Sequence, residues 1–341
     1  MASPAPSLAV VIIGAGKGTR MKSSLAKVLH PLAGQPLILQ VLTLAQQLTP
    51  QHLIVVVGHQ AETVQALCAP HGVTCVRQEP QLGTGHAVAQ AEPLLADFSG
   101  DVLVLYGDVP LLQLATVQGL CHTHQRTQAT VTVLTAYLHD PTGYGRIVRN
   151  GQGRMVRIVE ERDASEEERA IREINSGIYC LAAPFLFPAL RRVGHDNAQG
   201  EQYLTDVVAV AVQEQHPVAH LVAQDPQEII GINTRLDLAH QEALLRRRLC
   251  EQLMLAGVTI LDPASTVIDR QVTVGQDTVI AAQTHLLGAS VVGQDCRIGP
   301  HVVIQDSRLG DGVCVEPFCV VRGETIPAGT TLPSFSHRTS A

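Results

Sequence analysis

The sequence predicts two joined architectures: an α/β domain with a largely parallel sheet, then a long helix leading into a short parallel β-helix. Three observations carry this. From Leu8 to about Pro226, apolar runs suited to buried strands alternate with helix-patterned segments, as in α/β folds. From Arg235 to about Ala256, apolar residues recur at helical spacing with no proline or glycine. Beyond Gly257, aliphatic residues recur about every six positions, the hexapeptide period of a parallel β-helix rather than the period of two of ordinary strands. A length of 341 residues accommodates such a pair of domains.

The first strand is the β-branched run Val10 to Ile13. Gly14, Gly16 and Gly18 follow at once, and glycine lets a backbone turn tightly and approach a ligand. Lys17, Arg20, Lys22 and Lys27 come next, and these three lysines are the only lysines in the chain. A loop of free N–H groups loaded with cations is a receptor for polyphosphate. The competing reading is a glycine-rich turn with a solvated basic face. Neither familiar phosphate loop fits: position 19 is Thr where G-x-G-x-x-G needs glycine, and Lys17 is followed by Gly18 where a Walker loop needs Ser or Thr.

Leu53–Gly58, Val102–Tyr106, Val131–Ala136 and Ile178–Leu181 read as further strands, with helices over Leu37–Leu48, Ala61–Leu67 and His86–Ala96. In such folds ligands gather at the carboxyl ends of strands, where the glycine-rich loop and Gly107-Asp108 both fall. Asp108 is there either a metal ligand for phosphate chemistry or a turn residue before Pro110. Asn233, after the strand-like run Glu228–Ile232, offers an amide oxygen as a hard ligand for Mg²⁺ or is a common loop residue.

The long helix carries Leu236, Ala239, Ala243, Leu244, Leu249, Leu253 and Met254, with Arg246 to Arg248 on a solvated face and Gly257 as its stop. The six-residue series then runs Ile268, Val274, Ile280, Leu286, Val292, Ile298, Ile304, Leu309, Val315, Val321 and Ile326. These eleven hexads make three to four coils, near the minimum that buries its own inner face. Stacking against copies of itself completes such a prism, and a trimer is the common arrangement.

Composition excludes several function classes. A hydrophobic share of 45% and a charged share of 16% describe a globular chain, and a net charge of −7 argues against a general nucleic-acid binder. Eight cysteines without any C-x-x-C read as reduced thiols, neither a disulfide framework nor a zinc site. Leu8 to Gly16 is too short to span a membrane and lacks the flanks of a signal peptide, so a cytoplasmic location with no membrane partner is expected.

Longer motifs refine this picture. G-A-G-K-G-T-R-M at 14–21, K-V-L-H at 27–30, Q-L-G-T-G-H-A at 81–87, Y-G-D-V-P at 106–110, T-G-Y-G-R-I at 142–147, E-I-N-S-G-I at 173–178, N-A-Q-G-E at 197–201 and G-I-N at 231–233 occur in this order. Together they closely resemble the bifunctional bacterial N-acetylglucosamine-1-phosphate uridyltransferase/glucosamine-1-phosphate acetyltransferase family. The resemblance covers the whole first domain. It implies a Rossmann-like nucleotide-diphospho-sugar transferase domain over 1–234, a linker helix over 235–257, a left-handed β-helix over 258–331 and a flexible tail over 332–341. It implies transfer of UMP from UTP to N-acetylglucosamine 1-phosphate, giving UDP-N-acetylglucosamine and pyrophosphate for cell-wall precursor synthesis, in a homotrimer held by the β-helix.

The resemblance also implies residue roles. The backbone of Ile13, Gly14, Ala15 and Gly16 would meet the nucleotide, and Gln78 with Gly83 would recognise uracil. Thr84, Tyr106 and Gly107 would line the crevice, and Gly145, Glu160 and Asn175 would hold the N-acetylglucosamine. Asp108 and Asn233 would bind Mg²⁺, and Arg20 and Lys27 would act as catalytic cations on the phosphates. Three departures stand out. Gly14 replaces a familial alanine and Ala26 a familial proline, both expected to loosen the loop. The late-coil segment that carries the family's acetyltransferase residues has no counterpart, so uridyltransferase activity without acetyltransferase activity is expected. His285 and His301 are then surface or inter-coil residues. The competing functions are nucleotidyl transfer to another sugar phosphate, such as glucose 1-phosphate, and a non-catalytic oligomeric scaffold.

Overall fold

The structure, a computed structural model, describes residues 7–340. It divides into two compact units, residues 7–30 with 37–234, and residues 31–36 with 235–340.

The first unit is built on a mixed, mostly parallel sheet. Its order runs Val218–Val222, Val131–Tyr137, Glu173–Ala182, Asp101–Tyr106, Leu8–Ile13, His52–Val57, Thr74–Arg77. Leu8–Ile13 is central because it pairs in parallel with both His52–Val57 and Asp101–Tyr106. Its alternation sorts side chains between two cores. Ala9, Val11 and Ile13 join Val88, Leu186 and Val207 on one face, whereas Val10 and Ile12 join Ile38, Leu42 and Val64 on the other. Both faces are thus covered by helices, which is why these strands are continuously apolar.

Glu173–Ala182 departs from the parallel rule. It runs antiparallel to both Asp101–Tyr106 and Val131–Tyr137, and also pairs with Gly145–Arg149, which forms a hairpin with Met155–Val159. A register shift between Asn175 and Tyr179 marks a bulge, with Gly177 at φ +84°.

Two expected elements differ. The helix expected over His86–Ala96 is Thr84–Ala89, followed by a 3-10 turn at Glu92–Leu94, because Pro93 cannot continue the helical ladder. The strand-like run Glu228–Ile232 is instead a 3-10 turn at Pro226–Ile229. There the buried Glu228 carboxylate accepts hydrogen bonds from Gln113 N and Thr116 Oγ1 at 3.2 and 2.6 Å.

The second unit holds the helix Arg235–Leu255 and a parallel β-helix with sheets of five, five and four strands. The ladders Ile280–Ile298–Val315, Leu286–Ile304–Val321 and Val274–Val292–Leu309 follow from the hexad series. The stack exceeds the expected three to four coils because Thr259–Ile260, Thr331–Leu332 and His337–Thr339 also join the ladders. Residues 337–339 lie in the stretch expected to be a tail, and they pair with 320–322; Ala341 lies outside the described residues. A second period-six row was not read from the sequence. Thr278, Thr284, Ser290 and Cys296 sit two positions before the aliphatic rungs and are fully buried, with Thr278 and Thr284 hydroxyls donating to Gly293 O and Gly299 O of the next coil. Residues 31–36 cluster with this unit: Ala33 N donates to Glu242 Oε2 at 2.7 Å, and Arg270 N to Ala33 O at 3.0 Å.

Candidate active site

The glycine-rich loop leaves the central strand between its two parallel neighbours. Gly14 N donates to Val56 O at 2.8 Å and Gly107 N to Ile13 O at 2.9 Å, so the backbones of 13–14 and 107 lie side by side. Ile13, Gly14 and Ala15 are buried, whereas Gly16 is exposed with nothing within 4 Å of where a Cβ would sit. That leaves open space against a bare backbone. Gln81 Nε2 and His59 N both donate to Ala15 O, at 2.8 and 3.2 Å.

The cations come from the continuation of this loop. Lys27 Nζ donates to Asp108 Oδ2 and, at 3.1 Å, to Asn233 Oδ1, while Arg20 Nη2 donates to the same Asn233 oxygen at 2.8 Å. Four residues from three distant stretches therefore form one cluster, with Lys27 and Asp108 side chains each 14% exposed. The geometry also tests the donor set expected for a divalent cation. Oxygens of Asp108 and Asn233 converge on a single cationic atom, as two hard ligands of a small cation must. The donor chemistry fits Mg²⁺, which keeps waters and takes substrate phosphates in its remaining positions.

The expected loosening at Ala26 is offset. Ala26 has φ −56°, close to the value proline imposes, and its N–H donates to Gln60 Oε1 at 2.7 Å, a bond proline cannot make. Gln60 Nε2 in turn donates to Ser24 O at 3.0 Å. A side chain thus supplies the stiffness that a ring supplies elsewhere. A Cβ at Gly14 would lie 3.4 Å from both Ile38 Cδ1 and Val56 O, an ordinary van der Waals contact, so the position has room for the familial alanine.

Gln78, Gly83 and Thr84 are also brought together. Gln78 is buried, its Nε2 donating to Gly83 O at 2.8 Å and lying 3.2 Å from His86 Nδ1. Gly83 takes φ +111°, and a Cβ there would come within 2.5 Å of Gln202 O. Thr84 Oγ1 accepts from Leu204 N at 3.0 Å and also bonds the Tyr106 hydroxyl. Burial first, then the Glu160 carboxylate, pushes the Tyr106 phenol well above its usual range.

Gly145, Glu160 and Asn175 meet across the hairpin. Gly145 pairs with Asn175, and the carboxylate of Glu160 stands 3.5 Å from the Cβ position of Gly145. Asn175 Oδ1 accepts from Gly177 N at 3.0 Å within the bulge. Burial, with the charges of Asp206, Asp163 and Glu201, raises the Glu160 carboxyl above its ordinary value despite a bond from Thr205 Oγ1 at 3.2 Å. The expected site residues therefore fall into four groups: the loop backbone of 13–16 beside Gly107, the charge cluster, the Gln78–Gly83–Thr84 group that Tyr106 joins through Thr84, and the Gly145–Glu160–Asn175 group with its buried carboxylate.

Residues 10–256 match the family of MobA-like NTP transferase domains, and residues 271–306 match bacterial transferase hexapeptide repeats. The chain is 50% identical over 297 residues to the bifunctional protein GlmU of Geobacter metallireducens, covering 85% of this chain and 61% of that protein. It is 45% identical over 332 residues to the bifunctional protein GlmU of Pelobacter propionicus, covering 97% of this chain and 72% of that one. The chain belongs to the GlmU family. It spans about three-fifths of the length of the Geobacter GlmU. A Bacillus anthracis structure, provisionally named a glucose-1-phosphate thymidylyltransferase, superposes with TM-score 0.55 at 17% identity over 70% of this chain and 95% of that one, a likeness of fold.

Several residues of this GlmU-family site escaped sequence reasoning. Gln60 and Gln81 fasten the loop, and Gln202 closes over Gly83 and Gly85, where Gly85 N donates to Gln202 O at 2.8 Å. Arg146 is the largest fully buried side chain; it bonds Tyr144 O and pairs with Glu161 at 2.7 Å, fixing the neighbour of Glu160. One signal was present: an arginine inside the apolar run G-R-I-V is out of place unless buried and paired.

Proposed function

We propose that this chain transfers UMP from UTP to N-acetylglucosamine 1-phosphate, releasing pyrophosphate and forming UDP-N-acetylglucosamine. The observation that supports it most is the cluster of Arg20, Lys27, Asp108 and Asn233 beside the exposed Gly16 backbone. An oxygen of the sugar phosphate attacks the α-phosphorus of UTP in line, the new P–O bond forms, and the bond to pyrophosphate breaks. Two anions must meet, so the protein's work is to position them and neutralise charge. The backbone of 13–16 holds the phosphates, and Arg20 and Lys27 screen the charge that develops on the leaving pyrophosphate. Asp108 and Asn233 would hold Mg²⁺, which when bound draws charge from phosphate oxygens.

The nucleotide base fits the Gln78–Gly83 edge, where a buried amide is held in a fixed orientation by Gly83 O. The acetamido sugar is assigned to the group of Gly145, Glu160 and Asn175, which meet across the hairpin. There the Glu160 carboxylate, already costly to bury, gains hydrogen bonds from sugar hydroxyls. The hexapeptide repeats support a homotrimer joined through the β-helix. All eight cysteines are free thiols, which agrees with a cytoplasmic location. No helix among the described residues is long and apolar enough to cross a membrane.

The test is pyrophosphate release from UTP and Mg²⁺ with N-acetylglucosamine 1-phosphate and glucose 1-phosphate side by side. Release with the acetamido sugar, lost on chelation and restored by Mg²⁺, is expected. Release with glucose 1-phosphate alone would transfer the reading to another sugar nucleotide. Silence with both, despite bound UTP, would leave a binding scaffold.

A further inference from the structure

We propose that Asp101, Cys121, His124 and Cys180 form a zinc site at the end of the sheet opposite the glycine-rich loop. The residues come from three separate stretches of sequence, and spacing alone gave no reason to connect them. The fold does so in two steps. Asp101 opens the strand Asp101–Tyr106, and Cys180 lies on its antiparallel neighbour, opposite Leu103. Cys121 and His124 stand one turn apart on the helix Leu114–Thr127, which packs against that antiparallel neighbour.

Three of the four donors already converge on one point. One ligand atom each from Asp101, His124 and Cys180 all lie within 4.8 Å of one another. His124 Nε2 is 3.4 Å from Asp101 Oδ1. Two such ligands, each about 2.0–2.1 Å from a tetrahedral Zn²⁺, lie roughly 3.4 Å apart. The thiol of Cys121 hydrogen-bonds that of Cys180 but stands outside the group of three mutually close donors, so it would complete the set by turning toward them. His124 Nδ1 lies 2.8 Å from the buried Thr132 hydroxyl, which leaves Nε2 turned to the cluster. Fixing the far ring nitrogen in this way is how metal-binding imidazoles are oriented.

The donor chemistry separates this site from the catalytic one. Two thiols, an imidazole and a carboxylate suit Zn²⁺, whereas the oxygens of Asp108 and Asn233 suit Mg²⁺. The six-residue strand between Asp101 and Gly107 places the two sites roughly 20 Å apart, at about 3.3 Å per residue. His124 is 3% exposed and Cys180 is fully buried, so the site is structural: it ties the helix to two strands of opposite direction. Binding displaces protons from the thiols to solvent.

The test uses the full chain, reduced and stripped with a chelator, with Zn²⁺ alone as titrant and Co²⁺ as spectroscopic reporter. One equivalent of Zn²⁺ should bind, and Co²⁺ should give the visible bands of a tetrahedral ion with thiolate charge transfer. Cys180→Ser and His124→Gln should each weaken binding by roughly 10²-fold, at or beyond the upper end of what loss of an outer-shell partner costs. Cys296→Ser, a buried thiol of the β-helix, should leave binding unchanged. Should either buried substitution unfold the chain by circular dichroism, Asp101→Asn and Cys121→Ser at the half-buried rim carry the same expectation. Absence of a bound equivalent in the folded wild-type chain, or wild-type affinity in the folded variants, would overturn the proposal. Its readout is metal binding, so it stands or falls separately from nucleotidyl transfer.

Discussion

Gly18 lies against Lys27 so closely that a Cβ at position 18 would sit 2.7 Å from Lys27 Cβ. Gly18 also has φ +60°, a conformation that costs other residues roughly 1–2 kcal/mol. The absent side chain at 18 is therefore what lets Lys27 reach Asp108 and Asn233. Gly18→Ala should lower turnover about tenfold or more, because a small misplacement of a catalytic group is costly. Steady-state kinetics with unchanged circular dichroism would check it, and wild-type turnover would break the link between the two residues.

Arg20 and Lys27 both reach Asn233 Oδ1, yet only Lys27 also pairs with Asp108. Arg20→Ala and Lys27→Ala should each cut turnover by roughly 10² or more, the scale for losing a preorganised charge stabiliser. Lys27→Ala leaves the half-buried Asp108 carboxylate without its ammonium partner, so that variant should also shift the Mg²⁺ dependence of the reaction. A titration of rate against Mg²⁺ for both variants distinguishes them. Identical Mg²⁺ curves would contradict the shared cluster.

Gln60 binds the loop on both sides of Leu25, through Ser24 O and Ala26 N. Gln60→Ala removes both bonds, each worth about 0.5–1.5 kcal/mol, and should slow turnover several-fold by loosening Lys27. Adding Ala26→Pro should restore part of that loss, because φ at 26 suits proline and the ring restricts the same backbone. A double variant no faster than Gln60→Ala would show that stiffness at 26 is not what matters.

Glu160 is an acid whose folded pKa lies above its unfolded one, chiefly through burial. Between those two values the folded chain binds more protons than the unfolded chain, so this group's contribution to stability falls as pH rises and stays unfavourable at neutral pH. Glu160→Gln should therefore raise the thermal midpoint at pH 7 and lose that advantage in acid. The same change should lower kcat/KM for N-acetylglucosamine 1-phosphate about tenfold to a hundredfold, the scale of one hydrogen bond to a charged group. Thermal scans across pH, paired with kinetics, test both signs.

Much of this molecule was legible as local pattern. The hexad series gave the ladders because each coil repeats the same short contact, and ten of its eleven residues are buried, with Val274 packed at the edge. Asp108, past a strand, and Asn233, past a run that folds as a 3-10 turn, could be singled out as oxygen donors, and both reach the Lys27 ammonium. The hairpin from Gly145 to Val159 went unread although Asn150-Gly151 is a turn signal. Its strands are five residues each and carry arginines, so no clean apolar run drew attention.

The sequence by itself determined the α/β alternation, the glycine-rich cationic loop, the long helix and the period of six. These are encoded in neighbours along the chain, where glycine, branched side chains and spacing act directly on the backbone. Tertiary structure alone decided the antiparallel course of Glu173–Ala182, the clamp of Gln60 on Ala26, the burial of Glu160 and the meeting of Asp101, Cys121, His124 and Cys180. Each depends on which strands become neighbours in the sheet. That order is set by the packing of two cores on opposite faces, a property of the whole domain and of no single stretch.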